Sequence, residues 1–362
     1  MAESAETSSS QAAEKSQGQK GPTMNDKPGL LFFETDLEVD SFGDHDSALG
    51  DGMSSVTTSL SPSVLDYETY RGRRYHAYRE GKYVLPNDDD EINRLNLQHQ
   101  IWDIAMNGKL YLSPLPNNIT DAVDLGCGTG SWAIDFAETH PHCQTLGTDL
   151  SPIQPTDVPI NCRFMVDDVT AEWAFGHSFD FIHTRAITAG LSDWDHLLAQ
   201  CYANLRPGGW LELQELRFPL ECDDGSLPAD SALKRWGDGL MESMTKLGID
   251  GNASFKHVER LQKAGFKEVN QVHGKWAVGP WPRGEKEKRI GAMFLRDLTG
   301  NLYGVSLKMF TQLLGWSEET LKGFVEEVQR DMENPNIHTF MPVDIFWAQK
   351  PEEPTEAAPE GK

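Results

Sequence analysis

The sequence predicts an α/β fold in which strands and helices alternate around one open sheet. Three observations carry that prediction. The apolar run Ile119 to Leu125 is followed by Gly126, Gly128 and Gly130, and then by Trp132, Ile134 and Phe136 at helical spacing. That order reads as strand, glycine turn and helix N-terminus. The next two apolar runs, Cys143 to Leu150 and Cys162 to Val166, also close on acids, Asp149 and the pair Asp167-Asp168. Finally, Arg206-Pro207-Gly208-Gly209 separates a helical stretch, Asp193 to Leu205, from a further apolar run, Trp210 to Gln214, and such a word is a strong helix stop.

Composition bounds what surrounds this sheet. The 362 residues carry a formal charge of −24, and 38% of them are hydrophobic, a low share that points to disordered ends. No run approaches the roughly 18 apolar residues of a membrane span, and the N-terminus lacks the basic start and apolar core of a signal peptide. These absences lead to an expected cytoplasmic or nuclear location, with no membrane partner. Five cysteines without a repeating spacing argue against a disulfide framework. No C-x-x-C or H-E-x-x-H occurs, so no metal site is expected. A polyanion is poorly suited to phosphate contacts, and no direct nucleic-acid partner is expected.

Residues 1–63 read as a disordered acidic arm, whose single apolar cluster is Leu30-Leu31-Phe32-Phe33; a regulatory protein partner could dock there. Residues 64–350 form one domain: a cover (64–118), a core (119–216), and a lid, helical insertion and last strands (217–350). Residues 351–362 read as a disordered acidic tail. Within the cover, Tyr67 to Tyr78 is dense in aromatics and cations and includes Tyr75. Three readings stay open for it: a cover over a ligand pocket, where tyrosines flank a cation and arginine holds a carboxylate; packing on the sheet; or a nucleic-acid patch, opposed by the neighbouring acids. Asn87 or Asp88 can cap the next helix, and Asp89, Asp90 and Glu91 suit its dipole. Ile92, Leu95, Ile101, Trp102 and Ala105 give it an apolar face.

Farther along, Phe179 to His183 reads as the fourth strand. A helix is expected around Ala232 to Leu247 and another over Phe255 to Ala264, with a strand from Lys267 to Trp276. Helices near Glu285–Leu298, Leu302–Leu314 and Glu318–Met332 then precede a last strand, His338 to Ala348.

The glycine spacing is not the G-x-G-x-x-G of dinucleotide sites. The word Asp124 to Gly130, D-x-G-x-G-x-G, resembles the first motif of class I S-adenosylmethionine (AdoMet) methyltransferases. The resemblance implies that Asp124 faces the methionine ammonium and that Gly126, Gly128 and Gly130 line the ligand. Asp149, with Leu150 beside it, stands about twenty residues past the turn, where an acid accepts both ribose hydroxyls. Asp167 or, better placed, Asp168 would receive the adenine amino group, with the Val169 amide reaching a ring nitrogen.

Longer words extend the resemblance over about Tyr67 to Glu215. They include Gly72-Arg73-Arg74-Tyr75-His76-Ala77-Tyr78, Tyr83-Val84-Leu85-Pro86-Asn87-Asp88, Arg94-Leu95-Asn96-Leu97-Gln98-His99, Asp149 to Pro155, Ile182-His183-Thr184-Arg185 and Leu205 to Trp210. The chain resembles the LaeA-like family of fungal methyltransferases. That likeness implies a Rossmann-like seven-stranded sheet with helices on both faces and an antiparallel last strand, with AdoMet as cofactor. Members include nuclear regulators of secondary metabolism with velvet-type partners, and enzymes that tailor metabolites; the words here look closer to the enzymes.

The expected activity is methylation at N or O of a small molecule, with a protein acceptor or a regulatory role as alternatives. A base is needed only where the acceptor must lose a proton. His183, at a strand end and with a near-neutral unperturbed pKa, is the first candidate and Glu215 the second; His76 and His99 read as structural. Trp236, Met241 and Met244 suggest an apolar substrate lid, although their spacing also describes ordinary helix packing. The glycine spacing disfavours a nicotinamide-dependent oxidoreductase.

Overall fold

The computed structural model describes residues 67–76 and 83–352, with the isolated Leu37. The expected arm with its Leu30–Phe33 cluster, residues 77–82 and the tail past Glu352 lie outside the described residues. The chain opens with a hairpin of β1 (Glu68–Tyr70) and β2 (Arg73–Tyr75). Helix α1 (Asp89–Ala105) follows, capped by the Asp88 carboxylate, which accepts from the Glu91 amide at 3.3 Å. Of the two expected caps, the structure uses Asp88.

Five strands run parallel: β3 (Asp121–Leu125), β4 (Gln144–Asp149), β5 (Cys162–Val166), β6 (Phe179–Arg185) and β7 (Leu205–Leu216). β8 (Lys267–Ala277) and β9 (Phe340–Gln349) complete the sheet, with β9 antiparallel to both β7 and β8. The order β5-β4-β3-β6-β7-β9-β8 is that of a class I methyltransferase. The chain steps outward from β3 to β5 and then returns to β6 on the other side of β3. Such a switch opens a crevice beyond the carboxyl ends of the two central strands.

Strand periodicity sends alternate residues to opposite faces. Ala122 and Phe181 pack with Trp132 and Phe136 of α2 (Ser131–Thr139). Val123 and Ile182 join Leu197 and Leu198 of α3 (Trp194–Asn204) and Leu261 of α5 (His257–Lys263). A third cluster unites α1 with α4 (Ala232–Lys246), α6 (Glu285–Gly300), α7 (Leu302–Lys308) and α8 (Glu318–Met332) through Trp102, Trp236, Phe294, Leu307 and Phe324.

Two local expectations change. Arg206-Pro207-Gly208-Gly209 does not separate helix from strand: α3 ends at Asn204 and these residues already belong to β7. Gly208 sits at φ +77, and the β6–β7 register shifts between Phe179 and Phe181, as a bulge requires. The expected helix Leu302–Leu314 divides into α7 and a π-helical turn over Met309–Leu313.

Candidate active site

The glycine turn leaves the carboxyl end of β3 with Gly126 and Gly128 at φ +68 and +56, a left-handed region that L side chains rarely adopt. Both glycines line a cavity of about 250 Å³. Gly130 is different. Its φ is +79, and a Cβ there would lie 2.4 Å from Phe164 Cζ, but it is not among the lining residues. Glycine at 130 lets the start of α2 approach β5, rather than a ligand.

Asp149 closes β4 and turns its carboxylate into the cavity wall. Oδ2 accepts from the Gly128 amide at 2.8 Å and Oδ1 from the Ser151 amide at 2.9 Å. Burial pushes its pKa up to about 6 against the pull of these amides. Leu150 lines the cavity beside it, and Asp167, Asp168 and Val169 line it from the end of β5. Asp168 Oδ1 accepts from the Thr170 amide at 2.9 Å and its hydroxyl at 2.6 Å, which fixes the turn. The structure brings both members of the acid pair to the wall and does not single one out.

Asp124 also lines the cavity, and its Oδ1 accepts from His183 Nδ1 at 2.8 Å. His183 is fully buried, stacked on Trp132 at 3.7 Å between ring centroids and 5° between planes. Burial pulls its pKa down, against the hydrogen bond it donates to Asp124, so the ring is a neutral Nδ1–H donor at neutral pH. It is absent from the cavity wall. His183 therefore holds Asp124 in place and is not positioned to take a proton from an acceptor.

Glu215 is likewise fully buried and away from the wall. Its carboxylate accepts from the Thr188 amide at 3.1 Å, the Thr188 hydroxyl at 2.7 Å and the Thr184 hydroxyl at 3.4 Å. Burial raises its pKa to about 7. It ties β7 to the segment after β6, a structural task. Tyr75 does not reach the cavity either; it is buried with the Lys308 ammonium 3.8 Å from its ring centroid, because the hairpin packs on α7. In α4, Trp236 lines the cavity whereas Met241 and Met244 do not.

Several lining residues escaped sequence reasoning. Arg94 binds Glu91 at 2.7 Å and reaches Asp297 of α6 at 3.2 Å. Burial raises the Asp297 pKa to about 6, with Arg94 opposing. Arg185 donates from Nε to Gln214 Oε1 at 2.8 Å and meets His99 Nδ1 at 3.1 Å; His99 Nε2 is 2.8 Å from Asp135. Arg94 and Arg185 stood in conspicuous words but at no spacing with a chemical meaning. Asp297 is 203 residues from Arg94 and carried no signal.

The donor set suits one kind of ligand. Carboxylates at the ends of three adjacent strands, β3, β4 and β5, stand around a glycine turn that admits close backbone approach, as a ligand joining a cation to a nucleoside demands. Among the described residues no cluster of three or more His, Cys, Asp or Glu is arranged to hold a metal ion.

Comparison with known proteins agrees. Residues 97–271 match the family model described as a methyltransferase domain. The methyltransferase pytC of Aspergillus terreus is 38% identical over 298 residues, which is 82% of this chain and 92% of the relative. The secondary metabolism regulator laeA of Monascus pilosus is 36% identical over 329 residues, covering 87% and 88%. The protein-methionine methyltransferase laeA of Emericella nidulans is 34% identical over 284 residues, covering 77% and 75%. The fold, the glycine turn and these relatives lead to one conclusion: the chain belongs to the LaeA-like family of methyltransferases, with AdoMet as its cofactor.

Proposed function

We propose that the enzyme methylates oxygen or nitrogen on a small, largely apolar acceptor of secondary metabolism. One observation carries this reading: the cavity lined by the glycine turn is also lined by Trp102, Trp236, Leu240, Phe294, Leu298 and Met341. Apolar walls with a few convergent polar groups describe a small-molecule site.

In this reading Asp149 receives the ribose hydroxyls, Asp124 the ammonium, and Asp168 with Val169 the adenine edge, while Gly126, Gly128 and Leu150 lie against the ligand. AdoMet, when bound, supplies a methyl group made electrophilic by a positively charged sulfur. The chain's own contribution is to hold the acceptor atom in line and to keep water out. Where the acceptor must lose a proton, Asp297 is placed to take it. It lines the cavity between Phe294 and Leu298, and a pKa near 6 suits a base at neutral pH.

The test is incubation of the purified chain with AdoMet and, separately, with phenols, indoles and peptides, read by mass spectrometry. Methylated phenol or indole supports the proposal. Methyl found only on peptides, with the small molecules untouched, overturns it in favour of a protein acceptor. The laeA relatives favour a second reading, a regulatory subunit that binds a protein partner through residues 1–63 and acts in the nucleus. Removal of residues 1–60 discriminates: loss of a co-purifying partner with turnover intact supports docking. No helix among the described residues is long and apolar enough to cross a membrane.

A further inference from the structure

The two arginines that line the cavity differ in their partners. Arg94 is committed to Glu91 and Asp297. Arg185 makes no ion pair among the described residues, although it too is enclosed: its contacts are neutral ones, Gln214 Oε1, His99 Nδ1 and the Trp102 ring, 5.1 Å from Cζ to centroid. His99 can accept from Arg185 only through an unprotonated Nδ1, so its Nε2–H is the donor to Asp135. Among the described residues, Arg185 Nη2 has no hydrogen-bond partner. A largely enclosed guanidinium without a direct ion pair is costly: burial has pulled its pKa down to about 10 against the attraction of Asp124 and more distant carboxylates, which still leaves it cationic at neutral pH.

The neighbouring strand holds the complementary vacancy in bonding. Asp124 pairs in register with His183, two residues before Arg185. Its Oδ1 is taken by His183, and among the described residues Oδ2 has no hydrogen-bond partner. A carboxylate and a guanidinium, each with spare hydrogen-bonding capacity, thus line the same cavity at the ends of adjacent strands, close enough to attract but with no ion pair between them among the described residues. An α-amino acid head group, with ammonium and carboxylate on one carbon, satisfies both.

We propose that Arg185 binds the methionine carboxylate of the cofactor, opposite Asp124, so that the two residues grip the zwitterionic end as a pair. His99 and Gln214 hold the guanidinium fork for this contact, and Asp135 acts through His99.

The experiment is calorimetric titration of the full chain and of Arg185→Gln with two ligands. One is S-adenosylhomocysteine; the other is its decarboxylated analogue, 5′-deoxy-5′-(3-aminopropylthio)adenosine, which keeps the amine and lacks the carboxylate. Wild type should prefer S-adenosylhomocysteine by at least about tenfold, or about 1.4 kcal/mol. Arg185→Gln should lose that preference to within about twofold while binding the analogue as wild type does. A preference that survives in Arg185→Gln overturns the proposal. Equal weakening of both ligands also overturns it, because Arg185 would then support the cavity without touching the carboxylate. An anionic acceptor as the true partner of Arg185 would show as unchanged binding of both ligands by the variant.

Discussion

Under the proposed roles, the two cavity carboxylates with raised pKa values, Asp149 and Asp297, should divide the pH dependence of the enzyme between binding and turnover. In the proposed cofactor contact Asp149 is ionised when it accepts the ribose hydroxyls in full, and its pKa of about 6 places protonation just below neutrality. Affinity for AdoMet should be level above pH 7. It should fall below about pH 6 toward a limit of about one decade per pH unit, because protons then compete with the ligand for the carboxylate. Asp149→Asn should weaken binding and remove that slope, measured by calorimetry between pH 5 and pH 8. Asp297 acts on a different quantity. At saturating AdoMet and acceptor, kcat should fall below about pH 6 as Asp297 takes up its proton. Asp297→Asn should abolish that limb and lower kcat by about a hundredfold. A variant whose kcat keeps the limb would remove Asp297 from the reaction. His183 was expected in this role because a strand end beside a glycine turn is where chemistry occurs. What sequence could not show is that Trp132 lies flat upon the ring, shutting it away from the cavity.

Elements were more legible than contacts. The glycine turn and the acids after β4 and β5 could be read because a tight backbone approach and a polar strand end each demand particular residue types at fixed offsets. The roles of individual glycines could not be separated in this way, since ligand approach and packing both select for the missing Cβ. Gly130 shows the difference. Alanine there must take a φ of +79 and place its Cβ on Phe164, so Gly130→Ala should destabilise the fold by about 1–3 kcal/mol, seen as a lower urea midpoint at unchanged m. Because Gly130 does not line the cavity, the folded fraction should bind AdoMet within about threefold of wild type, under 1 kcal/mol. The Arg206-Pro207-Gly208-Gly209 word misled for a related reason: proline and glycine mark a break in regular backbone, and a bulge inside β7 is such a break just as a loop is.

At the scale of the molecule, the open α/β sheet followed from local periodicity, whereas the cavity is assembled across great sequence distances. Its floor comes from the strand ends between residues 124 and 191, and its apolar walls from α1, α4, α6, α7 and β9. No local pattern foretells that α6, far along the chain, will set Asp297 against Arg94. The hairpin β1–β2 extends this reach. Tyr70 bonds Thr311 at 3.1 Å, Arg73 bonds Asn301 at 2.6 Å, and Lys308 bonds Glu68, contacts that join residues 241, 228 and 240 positions apart. Their consequence is kinetic. Closing loops of such length is slow, so during synthesis the hairpin leaves the ribosome first and must wait for α7 before it has anything to hold. With only three residues per strand and few buried apolar groups, it is also expected to open before the central sheet. In native-state hydrogen exchange, the amides of β1 and β2 should open at lower free energy than those of β3 and β6. Protection of the hairpin equal to that of the central sheet would mean that it unfolds only with the whole.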